Sequence, residues 1–286
     1  MALIKSVAIV GGTGDLGKIL SSQLDGTEGF DITVISRQST VGHLIGLKST
    51  KADYDSVESL TAAFRGFDAV VNALPGHLEA QSLRILDAAV AAGVRRFIPS
   101  EWGSDRRGVD PKKFLLPQAK STSKKSCSSI SPRAKLNILP SLADPGLSGS
   151  WRLRAACLYL AGSSSFMTRK AFGEALVGAL RQPDASKNRI ISVRVIQLSQ
   201  NRILELTKEA FPKVEFMVKH IDTQERFKRG SGKLFSGQFD PSVVTDLVCC
   251  SVFDVTAQTS YQSDEDELAM FGVQSIVEED FVEFIR

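Results

Sequence analysis

The sequence predicts an α/β protein built on a doubly wound parallel sheet, and three observations predict it. The β-branched run Ser6–Val10 (SVAIV) flows into a glycine-rich turn, and the turn opens a segment with apolar residues at helical spacing. The same alternation of apolar strand and amphipathic helix recurs as far as Pro99. Strands separated by helix-length segments are joined by right-handed crossovers, which lay helices on both faces of a parallel sheet.

Each element follows from local pattern. Leu16, Ile19, Leu20 and Leu24 place the first helix over Asp15–Leu24, and DITVIS (Asp31–Ser36) is the next strand. Val57, Leu60 and Phe64 share a face of a second helix, which ends at a turn on Gly66 before the strand Asp68–Leu74. A long helix over Glu79–Val94 carries the stripe Leu83, Leu86, Ala89 and Val90, stops at Gly93, and is followed by the strand Phe97–Pro99. In the second half, Thr168–Pro183 predicts an amphipathic helix burying Phe172, Ala175, Leu176 and Leu180. NRIISVRVIQ predicts one strand, Ser199–Phe211 a helix capped by Ser199, and Val214–Ile221 another strand. Asp222 and Glu225 stand at capping-box spacing, and the last segment predicts a terminal helix packing Ile276, Phe281 and Ile285.

Composition bounds the function classes. The chain has 286 residues, 43% of them hydrophobic, enough for one large domain or a domain with a smaller companion. Its 35 Lys+Arg and 32 Asp+Glu leave a formal charge of +3, too small to imply a nucleic acid or membrane surface as partner. Cys127, Cys157, Cys249 and Cys250 have no C-x-x-C spacing, so a reducing, cytoplasmic setting is expected. The run Val7–Val10 is too short for a signal-peptide core or a membrane span. His43, His77 and His220 stand apart from other ligand types, and no metal site is expected.

The first turn carries the chemistry. Gly11, Gly14 and Gly17 are spaced G-x-x-G-x-x-G between a strand and a helix, one residue wider at the first gap than the common dinucleotide fingerprint. A helix N-terminus there offers free N–H groups and the positive end of its dipole to a pyrophosphate. Gly11 serves the tight turn, Gly14 the approach of phosphates and Gly17 helix–strand contact, with Thr13, Asp15 and Leu16 completing the cradle. Arg37 follows the second strand, where a carboxylate would take a ribose hydroxyl and an Arg suits a 2′-phosphate. Ser36, Ser39 or Thr40 would add hydroxyls, so NADPH is expected over NADH. Ligands sit at the carboxyl ends of such strands, which puts Asn72, Ala73, Leu74, Ser100 and Glu101 through Gly103 on the rim.

Together, GGTGDLG, Arg37, VVNALPG and RRFIPSEWGSD resemble the NmrA-like and isoflavone-reductase-like group of atypical short-chain dehydrogenases, particularly its fungal members. Trp102 stands where plant isoflavone and phenylcoumaran benzylic ether reductases carry Phe in a Pro-Ser-Glu-Phe-Gly run. The resemblance implies a Rossmann-like NADP(H)-binding domain over residues 1–165 and a smaller α/β substrate or lid domain over 166–286. It implies reduction of a small aromatic or carbonyl-bearing metabolite, with a Lys after the Ser-Glu-Phe-Gly loop as acid–base group. Lys120 matches best, with Lys124 and Lys125 as alternatives. None of Tyr54, Tyr159 and Tyr261 has a Lys four residues later, so the usual Tyr-x-x-x-Lys relay of short-chain dehydrogenases is missing. The same resemblance also admits a non-catalytic NADP(H) sensor that signals to a protein partner.

From Gln118 to Ser165 the pattern breaks. Serines crowd in, Asp144 is the only carboxylate, and Pro132, Pro140 and Pro145 interrupt any helix. Three readings stand: a solvated loop, a divergent insertion that binds a partner or is phosphorylated, and a gene model shifted in frame or mis-spliced, with family-like sequence resuming at Thr168. A structureless loop of this length inside a compact domain is rare, which favours the third. Sequencing the transcript tests it, and an unbroken frame encoding these residues would overturn it.

Overall fold

The computed structural model describes residues 3–37, 47–75, 78–100, 102, 134–138, 163–166, 168–218, 222–238, 240, 242–243, 246–247 and 265–286. Five strands make the main sheet: β1 (Ser6–Val10), β2 (Asp31–Ser36), β3 (Lys48–Lys51), β4 (Ala69–Asn72) and β5 (Arg96–Ile98). All four ladders are parallel, and the spatial order is β3-β2-β1-β4-β5. The order reverses at β1, so a crevice opens at the carboxyl ends of β1 and β4. This is a Rossmann-like α/β fold.

Both faces of the sheet are covered, and β1 shows how. Val7 and Ile9 pack with Leu20 and Leu24 of α1 (Asp15–Asp25) in one cluster. Ala8 and Val10 pack in a second with Leu60 and Phe64 of α2 (Val57–Phe64) and Ile85 and Leu86 of α3 (Glu79–Ala91). A strand buried on both sides needs a continuous apolar run rather than alternation, which is why SVAIV reads as it does.

Two departures from expectation lie in this half. Strand β3, sequence KSTK, was not foreseen, because all four residues are exposed and an edge strand held by one ladder carries no hydrophobic signal. Helix α3 is turned relative to its predicted stripe: Val90 is 51% exposed, whereas Ile85, Leu86, Ala88 and Ala89 are buried. Ile85 and Ala88 need burial against α2 and the sheet together, and that rotates Val90 to solvent.

Two short strands fall inside the irregular stretch. β6 (Ala134–Ile138) pairs in parallel with β8 (Arg189–Val193), and β7 (Ser163–Phe166) pairs antiparallel with β9 (Ile196–Ser199). The single strand expected over NRIISVRVIQ is therefore two, broken at Arg194 and Val195 so that each half joins a different partner. Helix α4 (Arg169–Arg181) is capped by the Thr168 hydroxyl, which accepts from the Ala171 amide at 3.2 Å. It buries Phe172, Ala175, Leu176 and Leu180 as expected, yet Gly173, Val177, Gly178 and Ala179 are buried too, so it is enclosed rather than amphipathic. A side chain at Gly173 would collide with Gln23 of α1, and one at Gly178 with the Phe271 carbonyl.

Helix α5 (Gln200–Ala210) starts where expected, the Ser199 hydroxyl accepting from the Arg202 amide at 3.1 Å. Val214–Val218 forms no strand: Val214, Met217 and Val218 are exposed, and no ladder holds this segment among the described residues. Asp222 caps α6 (Thr223–Phe235) by accepting from the Gln224 and Glu225 amides. The terminal helix is two, α7 (Glu265–Met270) and α8 (Glu278–Ile285), separated at Gly272, which takes φ +73°. Phe281 and Ile285 pack on Leu198, Ile203 and Leu206, while Ile276 packs on the cluster around α1 and α4. Among the described residues no helix is long and apolar enough to cross a membrane, and no group of three or more His, Cys, Asp or Glu could hold a metal.

At the amino-terminal edge of the sheet, Asp68 ties three strands. Its carboxylate accepts from the Lys5 amide at 2.8 Å, the Ser6 amide at 3.0 Å and Arg95 Nη2 at 2.6 Å. Burial pushes the group up, but Arg95 and the two amides outweigh it and hold the pKa at about 2, below the ordinary 3.8. A depressed carboxylate stabilises fully above its unfolded value and loses that contribution as pH falls through its folded value. Asp68→Asn is expected to cost roughly 1–3 kcal/mol at neutral pH. Denaturant unfolding from about pH 5 to about pH 1 should show the wild type losing this margin while the variant does not.

Candidate functional site

The crevice at the carboxyl ends of β1 and β4 is built largely from backbone. Gly11 follows β1 with φ +80°, a conformation that side chains with a Cβ rarely adopt, and it lies against Ala73 and Leu74, about which an added Cβ would stand at 3.1–3.2 Å. The loop closes when the Gly14 amide donates to the Gly11 carbonyl at 3.0 Å, and α1 begins when the Lys18 amide donates to Gly14 at 2.9 Å. Gly14 is the N-cap and offers no side chain, so the first amides of α1 are left to outside acceptors.

The glycines divide by what surrounds them. A Cβ on Gly17 would overlap the Gly11 carbonyl and the Gly12 Cα, so its contact is between the helix and its own loop rather than the strand. A Cβ on Gly12 would press on Val34 of β2 at 2.8 Å. Sequence reasoning passed over Gly12, because the clash comes from a residue 22 positions away. Gly14 is exposed and would meet only the Gly11 carbonyl at 3.4 Å, an ordinary contact. Nothing among the described residues requires glycine there, and the open side faces outward. Thr13 and Asp15 are exposed beside it, and Leu16 is half-buried against the core.

Arg37 lies one residue beyond β2, exposed, with its guanidinium carbon 5.7 Å from the centre of the Tyr54 ring. No carboxylate among the described residues forms an ion pair with it. Tyr54 itself is buried and its hydroxyl donates to the Ile35 carbonyl at 2.6 Å. Its only sequence-level signal was the missing Lys partner.

The far rim is held by hydrogen bonds that join distant residues. Buried Asn72 accepts through Oδ1 from the Leu74 amide at 3.0 Å, fixing the turn after β4. Ser100 donates to the Leu74 carbonyl, and Trp102 Nε1 donates to the Asn72 carbonyl at 2.8 Å. The carbonyl that ends β4 and the Leu74 carbonyl in the turn after it are thus gripped from the segment that follows β5. Glu101, Gly103, Lys120, Lys124, Lys125, Ser39, Thr40 and the three histidines lie outside the described residues.

This arrangement fits a phosphate-bearing nucleotide: amides at a helix start, an open glycine face, and, just beyond the neighbouring strand, a cation with no carboxylate partner among the described residues. Residues 4–120 match the NmrA-like family. The NmrA-like segment spans β1 to β5 and both rims of the crevice. Over its wider length the chain is 26% identical to oxidoreductase aprR of Aspergillus flavus, covering 95% of this chain and 96% of that one. It is 31% identical to phenylcoumaran benzylic ether reductase Betv6 of Betula pendula over 51% of this chain and 54% of that protein. The leucoanthocyanidin reductase of Vitis vinifera, solved as a binary complex with NADPH, superposes with a TM-score of 0.77 at 16% identity, covering 98% and 99% of the two chains. At that identity the likeness is one of fold.

Trp102 gives the site a bond that a Phe at this position would not. Trp102→Phe removes the donor to Asn72 while keeping most of the buried ring, and is expected to cost about 1–2 kcal/mol. Urea unfolding of the two proteins measures it, and unchanged stability would mean that the indole N–H contributes nothing.

Proposed function

We propose that the chain is an NADP(H)-dependent reductase of a small aromatic or carbonyl-bearing metabolite. The observation that carries the reading is Arg37: a cation without a carboxylate partner among the described residues, beside an open glycine loop, where an NAD-preferring sheet would carry Asp or Glu. The names of its relatives point the same way, since aprR is an oxidoreductase and Betv6 a benzylic ether reductase.

In this reading the first-turn amides of α1 bind the pyrophosphate, the positive end of the helix dipole favours its charge, and Arg37 takes the 2′-phosphate. Asn72 and Ser100 fix the Ala73–Leu74 backbone that floors the crevice, keeping the pocket in shape for the ring. A bound nicotinamide nucleotide supplies the hydride. Lys120, assigned from its place in the sequence, exchanges the proton with the substrate oxygen.

Titration with NADPH and NADH tests the proposal. The wild type is expected to prefer NADPH, and Arg37→Ala to weaken NADPH about tenfold or more by removing a charge-assisted contact, with NADH nearly unchanged. Equal affinity for both nucleotides in the wild type would overturn it. NADPH consumption against a panel of aromatic carbonyl and benzylic ether compounds then separates catalysis from binding, and binding without consumption would support the sensor instead.

A further inference from the structure

We infer that Tyr54 is a positioning residue that sets the preference for a 2′-phosphate by holding the Arg37 guanidinium over its ring and clamping the end of β2. The inference rests on the NADP(H) reading above and deepens it.

Three observations meet at this side chain. Its hydroxyl donates to the carbonyl of Ile35, two residues before Arg37, at 2.6 Å. Its ring lies under the guanidinium, with 5.7 Å from the guanidinium carbon to the ring centre. It is 5% exposed, packed in the cluster with Ile35, Ala52, Leu60 and Phe64, so it cannot follow Arg37 if that side chain swings away. Burial raises the hydroxyl's pKa, against the opposing pull of Gly11 and of the Arg37 charge, so the group stays protonated and remains a donor at neutral pH.

The physical consequence is preorganisation. A free Arg side chain spreads over many rotamers, and ordering it on binding costs free energy. A guanidinium resting on an aromatic face loses part of that freedom beforehand and keeps its N–H edge free for a phosphate. A single buried residue therefore acts on the specificity position twice, through the ring beneath Arg37 and through the Ile35 carbonyl at the end of β2. Ring and hydroxyl have separable jobs, which makes the inference testable.

The experiment measures dissociation constants for NADPH and NADH on the wild type, Tyr54→Phe, Tyr54→Leu, Arg37→Ala and the double variant Tyr54→Leu/Arg37→Ala, each checked for folding by circular dichroism. Tyr54→Leu is expected to lower the NADPH-to-NADH preference by about two- to fivefold, the worth of an exposed cation–π contact. Tyr54→Phe keeps the ring and should keep the preference while weakening both nucleotides alike. In the Arg37→Ala background, Tyr54→Leu should alter the preference no further. An unchanged preference in Tyr54→Leu, with the wild type still favouring NADPH, would overturn the inference and leave the function standing. If Tyr54→Leu does not fold, Tyr54→Phe decides: a preference lost with the hydroxyl alone would overturn the role given to the ring. A wild type indifferent to the 2′-phosphate would overturn the underlying reading and this inference with it.

Discussion

Everything at the carboxyl end of the sheet depends on one close approach of backbone to backbone. Helix α1 begins directly on the loop that follows β1, with no room for a Cβ on Gly17 between the helix and the Gly11 carbonyl, and none on Gly12 between the loop and Val34. That approach places the N-terminal amides of α1 beside the ends of β1, β2 and β4 at once. A side chain at either position would lift the helix, and the cradle, the Arg37 edge and the Ala73–Leu74 floor would no longer face one another.

The sheet is fastened differently at its two ends, and the difference matches their duties. At the amino-terminal edge a charged group does the work: Asp68 draws in the Lys5 and Ser6 amides and Arg95, while fully buried Arg96 donates to the Pro183 and Ser186 carbonyls beyond α4. At the carboxyl end the fasteners are neutral, from Asn72, Ser100, Trp102 and Tyr54. Neutral hydrogen bonds hold the rim without placing a fixed charge that would compete with a phosphate. Arg37 stands on this edge beside exposed Lys51, which pairs with Ser36 at the end of β3, and exposed Lys18 one turn into α1 adds to the field.

How far the sequence disclosed this follows from how far apart the partners are. The strand–turn–helix of β1 and α1, the ends of β2, the capped starts at Ser199 and Asp222 and the face of α4 carrying Phe172, Ala175, Leu176 and Leu180 were legible, because periodicity and capping are local, whereas the burial of its other face was not. Strand β3 was hidden because four polar residues become a strand only through their ladder with β2. The reverse error occurred at Val214–Val218, where β-prone residues found no partner strand among the described residues. Ladders of β6 with β8 and of β7 with β9 gave no signal either, since each joins residues 30 or more positions apart. In the site, Gly11, Gly14 and Arg37 were readable by their place in a strand–turn–helix unit. Gly12, Tyr54 and the Trp102–Asn72 bond were not, because each acts through a residue brought near only by the fold.

Tyr54 shows why such residues matter to specificity. A motif names the group proposed to touch the ligand, and Arg37 is named in that way. Affinity depends as well on how much freedom that group must surrender, and this is set by what lies beneath it. Here the support comes from the loop between β3 and α2, an element that carries no fingerprint and that begins at a strand the sequence conceals. An Arg at the end of the second strand is therefore an incomplete statement about cofactor choice. The same Arg over Leu would present the same charge from many directions, whereas over a buried, hydroxyl-anchored ring it presents its edge from one.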